Sequence, residues 1–250
     1  FRSVAYVGSY TYYGSSKGIS IMDVDVEKGI FTKRKEVSVN NSSYLVASRN
    51  NKYLYSVVDE GVAAFKILPD GDLEYLNTAS IRGMRTCYLT VDKAGKFLVT
   101  AGYHDGKMTI LNINEDGSVG SIASEIFDHG TGTIGERNFR PHVTCVQFTP
   151  DEKTLLFSIE EEGPKENSDL IRVLEPSDRL PGWRNRSFIH RYVLSTGLME
   201  QLTYGHNSTY LNDVSADSRY ILFSTSERVL TSLPFSRNST YKLDLQTMAV

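Results

Sequence analysis

The run Glu136-Arg-Asn-Phe-Arg-Pro-His142 gathers residue types that suit proton transfer on an anionic substrate. His142 follows Pro141 at the opening of an apolar strand, and an imidazole is the side chain best able to take a proton from water near neutral pH. It can equally serve as a hydrogen-bond partner for a loop carbonyl. Arg137 and Arg140 precede it and could grip a phosphate or carboxylate through paired N–H donors. His104, in Gly102-Tyr-His-Asp105, is a further binding candidate, set against a plain turn role, and His129 has no evident partner. The triplet Glu160-Glu-Glu162 could supply a carboxylate, although such a charge run reads first as a solvated loop. His-Glu-X-X-His, Cys-X-X-Cys, Gly-X-Ser-X-Gly and phosphate-cradling glycine motifs are missing, which disfavours zinc hydrolases, serine hydrolases and nucleotide enzymes. Neither a metal nor a cofactor is expected.

These residues need strands to hold them, and the strands recur. Four stretches share one pattern of strand, small or hydroxyl residue, Asp or Asn turn, basic residue and second strand: residues 45–55, 89–99, 147–157 and 213–223. Their basic residues Lys52, Lys96, Lys153 and Arg219 stand 44, 57 and 66 positions apart, and residues 2–8 look like the back half of a fifth copy. A period of about 40–50 residues with four strands per unit marks a propeller blade, the longer spacings being insertions. The expected fold is an all-β propeller of about five four-stranded blades, the first lacking its opening strand and the last its closing one. Strand edges left open at such a seam imply either an unusual closure or a homodimer. The loop 128–141 and the insertion 160–186, which carries Trp183, interrupt the pattern where function often resides.

With 250 residues the chain can bury roughly three quarters of its unfolded surface as one domain. A net charge of −3 lacks the basic footprint that nucleic acid requires. No run of 18 apolar residues and no leader pattern is present, so neither a membrane span nor a signal peptide is expected, and the default compartment is cytoplasmic. Starting at Phe1 without Met, the chain reads as trimmed. Cys87 and Cys145 fall in first strands of repeats and read as free thiols.

Residues 4 to about 153 resemble the lactonase family of propellers, which includes the propeller-type 6-phosphogluconolactonases. The resemblance rests on Tyr6-Val-Gly-Ser-Tyr-Thr11, Val58-Asp-Glu-Gly-Val62, Ile67-Leu-Pro-Asp-Gly-Asp-Leu73, Ala101-Gly-Tyr-His-Asp-Gly106, Glu136 to His142 and Phe148-Thr-Pro-Asp151. Thr144 stands where that family usually has a second His. Residues 154–250 resemble TolB and oligopeptidase propellers through Tyr192-Val-Leu-Ser-Thr-Gly197, Val214 to Phe223 and Tyr241-Lys-Leu-Asp-Leu-Gln-Thr247. Together the two resemblances imply one propeller domain over 1–250, joined near 153/154 as an engineered hybrid, that serves as a scaffold or binding module and catalyses nothing. The alternative that the first resemblance implies is a hydrolase for a phosphorylated or acidic sugar lactone. His142 would then be the base, Arg137 and Arg140 the anchors, and His104 an additional contact.

Overall fold

Period-2 alternation of apolar side chains, cut by Gly, Asp and Asn turns, folds the chain into antiparallel meanders. The computed structural model describes residues 3–127, 141–162, 185–228 and 236–250, and no helix occurs among them. The chain divides into two compact units, 1–127 and 128–250. In the first unit, β1 (Ser3–Gly8), β2 (Gly18–Asp25) and β3 (Ile30–Ser38) form one sheet. A second sheet joins β4 (Leu45–Ala47), β5 (Tyr53–Val58), β6 (Gly61–Ile67) and β7 (Leu73–Ser80), and a third joins β8 (Tyr88–Val91), β9 (Phe97–Ala101), β10 (Lys107–Ile113) and β11 (Val119–Phe127). In the second unit, β12 (His142–Phe148), β13 (Thr154–Glu162), β14 (Asn185–Val193) and β15 (Leu198–Gln201) form a sheet, and β16 (Thr209–Val214), β17 (Tyr220–Arg228) and β18 (Ser236–Asp244) form another. The first and last sheets therefore show three strands each, in keeping with the pattern of repeats.

The recurrent motif has a physical cause. In three copies a hydroxyl at the end of the first strand donates to a carboxylate or amide oxygen two residues on, and accepts the backbone N–H five residues on. Ser48 bonds Asn50 Oδ1 at 2.7 Å and the Tyr53 N–H at 3.0 Å. Thr149 does the same with Asp151 (2.7 Å) and Thr154 (3.2 Å), and Ser215 with Asp217 (2.6 Å) and Tyr220 (2.8 Å). In the remaining copy Asp92 takes both N–H groups itself, from Lys96 and Phe97, each at 2.8 Å. The residue three places after the start of each turn adopts positive φ: Asn51 at 54°, Gly95 at 66°, Glu152 at 56° and Ser218 at 60°. The basic residue then aligns its carbonyl with the third strand of its sheet. Lys52, Lys96, Lys153 and Arg219 accept from the N–H of Ile67, Ile113, Leu194 and Leu245 at 2.7–3.0 Å. Side chain and backbone thus set the register of each meander locally.

Alternation divides the middle sheet of the first unit between two cores. Leu54 and Val58 pack with Ile19, Val39, Ala63 and Phe65 on the side of the first sheet. Tyr55 and Val57 pack with Val62, Ile81, Leu89, Leu98 and Leu111 on the side of the third. Each fully buried aliphatic side chain contributes about 1.5–3 kcal/mol. Gly18 opens β2 at φ +121°, where a Cβ would lie 2.1 Å from the Val39 carbonyl oxygen. In the second unit, Leu156, Ile189, Leu202, Ile221, Phe223, Leu243 and Leu245 form the core between the two sheets.

Several strands run beyond their apolar stretches: β13 continues to Glu162, β14 begins at Asn185, β17 continues to Arg228 and β18 begins at Ser236. Ladder hydrogen bonds carry polar residues into the sheet there, against their low strand propensity. Cys87 and Cys145 remain thiols and are half-buried.

His190, on β14, is buried against Phe157 with ring centroids 5.8 Å apart, and its Nδ1 lies 3.1 Å from the Phe188 carbonyl. Burial pushes this imidazole below its ordinary value of 6.5, and the backbone bond opposes that only in part. The unfolded chain then binds the proton more readily than the folded one. The stability that neutral His190 contributes is present above about pH 6.5 and is lost as the pH falls through the lower folded value. Thermal unfolding at pH 7 and pH 5 is expected to show a drop in Tm that His190→Phe makes smaller.

Candidate functional site

His142 is the first residue of β12, and it is buried, with 4% of its surface exposed. Its backbone pairs directly with Glu160 on β13, so both side chains stand on one face of the sheet. Glu160 in turn pairs with Ser187, and its Oε1 accepts a hydrogen bond from Asn185 Nδ2 at 3.1 Å. A bulge between Val143 and Cys145 bends the strand just after the histidine, a device that often re-aims a side chain near a site. The expected solvated loop at Glu160–Glu162 is therefore corrected: all three residues belong to a strand, and Glu160 faces the imidazole side of the sheet. An imidazole beside a carboxylate that is itself held by an amide can move a proton to and from water.

Arg137, Arg140 and His129 lie outside the described residues. His104 is exposed in the β9–β10 hairpin and meets the Tyr103 ring edge-on at 5.3 Å. It belongs to the first unit and His142 to the second. Among the described residues no group of His, Cys, Asp and Glu is arranged to hold a metal ion, and no helix is long and apolar enough to cross a membrane.

A second polar cluster, in the first unit, went unnoticed in the sequence. Asn41, buried and at φ 51°, accepts the Thr11 N–H at 2.8 Å and donates to both Asp59 oxygens at 2.8 and 3.0 Å. Asp59 also receives Arg85 Nη1 at 3.3 Å, and the same nitrogen bonds the Tyr12 hydroxyl. The guanidinium carbon lies 5.1 Å from the Tyr10 ring and 5.3 Å from the Tyr12 ring, whose own centroids are 5.7 Å apart. The partners are 26 to 75 residues from Arg85, so spacing gives no sign of them; only the aromatic run Tyr10-Thr-Tyr-Tyr13 marks the place. Beside Asp59 opens a cavity of about 410 Å³ lined by Asn40, Glu60, Phe65, Tyr75 and Thr78 among others.

Lys107 fastens the floor of the neighbouring hairpin. Its buried ammonium bonds the Ile81 carbonyl (2.7 Å), the Arg82 carbonyl (3.2 Å) and Glu125 (2.9 Å). Lys107→Met is expected to leave two carbonyls and a carboxylate short of a donor, at a cost of about 2 kcal/mol. The midpoint of denaturant unfolding would report it.

A 6-phosphogluconolactonase of Bacillus subtilis is 37% identical over 156 residues, 60% of this chain and 44% of its own length. One from Formosa agariphila is 32% identical over 152 residues, 58% of this chain and 43% of its own. The chain thus spans less than half the length of these curated relatives. The crystal structure of a candidate 6-phosphogluconolactonase from Bacteroides fragilis matches with a TM-score of 0.60 at 26% identity, over 100% of this chain and 80% of that one. One solved structure of this kind thus spans both halves of the chain. These findings overturn the expected engineered hybrid without catalysis. Residues 4–158 match the family described as Lactonase, 7-bladed beta-propeller, and the chain belongs to that family.

Proposed function

We propose that this chain belongs to a lactone hydrolase that opens a phosphorylated or acidic sugar lactone, with His142 as its general base. The observation that carries the reading is the direct cross-strand pairing of a buried His142, inside the segment shared with the family, with Glu160, two residues beyond its end. The names of the B. subtilis and F. agariphila relatives point to the same reaction. In the proposed step a water oxygen attacks the lactone carbonyl carbon while its proton passes to His142. The carbonyl electron pair moves onto oxygen, and backbone or side-chain donors must stabilise that oxyanion. Collapse breaks the ring C–O bond, and the imidazolium returns its proton to the departing alkoxide. Glu160 is proposed to orient the imidazole, itself fixed by Asn185. Arg137 and Arg140 are the proposed anchors for the anionic end. Hydrolysis of 6-phosphogluconolactone, followed by acid release above the uncatalysed rate, tests the reading. A chain with no excess rate, or one whose rate survives loss of His142, would sink it.

A further inference from the structure

We propose that Tyr10, Tyr12, Arg85 and Asp59, all in the first unit, form a binding platform for a singly charged, hydroxylated carboxylate. The platform stands whether or not His142 turns over a lactone. Tyr10 and Tyr12 are 51% and 63% exposed although their rings lie nearly parallel, at 17°, which leaves aromatic surface open to solvent. Open aromatic faces of this kind suit the C–H faces of a polyol. Among the described residues only Nη1 of Arg85 is hydrogen bonded, so Nε and Nη2 keep their donors for a ligand. A guanidinium with unused donors suits a carboxylate.

The frame around these groups is rigid before any ligand arrives. Asn41, with 3% of its surface exposed and its backbone in the left-handed region, clamps Thr11 to Asp59. Strain of that kind is retained where surrounding contacts enforce it. Hydrogen bonding to Tyr12 helps to raise Arg85 above its ordinary value against the opposing effect of burial, so the cation persists at every physiological pH.

Charge selects the ligand class. Asp59 partly neutralises Arg85 across 3.3 Å, and Glu60 stands at the adjoining cavity. Two carboxylates stand against one guanidinium there, so a phosphate dianion is opposed more strongly than a carboxylate monoanion. The cavity of about 410 Å³, with Asn40, Tyr75 and Thr78 in its lining, offers room and hydrogen-bonding groups for a short chain of hydroxyls.

Titration calorimetry of the folded chain with D-gluconate, 6-phosphogluconate and D-glucose tests this. The Arg85-dependent site is expected to bind gluconate more tightly than either of the others. Arg85→Met and Tyr10→Ala should each weaken that binding at least tenfold. No gluconate binding, equal gluconate affinity in Arg85→Met, or Arg85-dependent binding that is tighter for 6-phosphogluconate than for gluconate would each overturn the platform. If Arg85→Met does not fold, Arg85→Lys decides: it keeps the charge but not the planar donors, and affinity equal to that of the parent would overturn the proposal.

Discussion

His142→Ala is expected to lower kcat for lactone hydrolysis by about 10²–10⁴-fold, the usual contribution of a positioned general base. The loss should fall on kcat with KM nearly unchanged, because the imidazole acts on the attacking water rather than on the bound lactone. Glu160→Gln should cost less, about tenfold in kcat, since the amide still fills the place opposite His142 but no longer balances the imidazolium formed during attack. Both variants must first show a parent-like Tm, because His142 is buried at the start of a strand. A fall in KM affinity with kcat preserved would instead make His142 a binding residue, and the proposed mechanism would fail.

Gly18→Ala is expected to be the most damaging single-methyl change in the first unit. Two costs add. At φ +121° an L residue is strained by roughly 1–3 kcal/mol. The new Cβ would also lie 2.1 Å from a backbone oxygen, Val39 O, which no side-chain rotation can relieve. The chain must shift there, loosening the Val39 N–H bond to the Lys17 carbonyl and the Ser9 N–H bond to Gly18, both 2.8 Å. A total near 4 kcal/mol corresponds to a Tm lower by roughly 10 °C for a chain of this size. Gly95→Ala is the control: φ is +66° and nothing lies within 4 Å of its added Cβ, so about 1 kcal/mol of backbone strain is all it should lose. Equal shifts for the two variants would show that the overlap with Val39 is relieved at no cost.

The meanders were legible because their turns are written in neighbouring residues. Ser48, Asp92, Thr149 and Ser215, each followed four places later by Lys or Arg, mark four hairpins whose hydrogen bonds close within six residues. The candidate base was legible for a similar reason, since His142 sits in a compact run with Pro141. Its partner was not. Glu160 reads as the start of an acidic loop, and only the ladder pairing β12 to β13 brings it opposite the histidine. Arg85 was still less visible, because its contacts with Tyr10, Tyr12 and Asp59 join three loops remote in the chain. Lys107 looks like a surface residue at the end of a turn until Ile81, Arg82 and Glu125 close over it. The expected hybrid arose from the same limit. Turn residues are shared by all sheets of this type, so they reveal the architecture and carry no signature of lineage.

The four closed turns also bear on the order in which the chain acquires its structure. Each depends on contacts no more than five residues apart, so its hairpin can form on the microsecond scale, before distant segments meet. The long-range apolar contacts, such as those of Leu54 with Ile19 or Leu156 with Ile221, then join segments whose register is already chosen. A collapse that brings the wrong sheets together can reopen without melting a hairpin. Local turns thus shorten the search that non-local β pairing would otherwise slow.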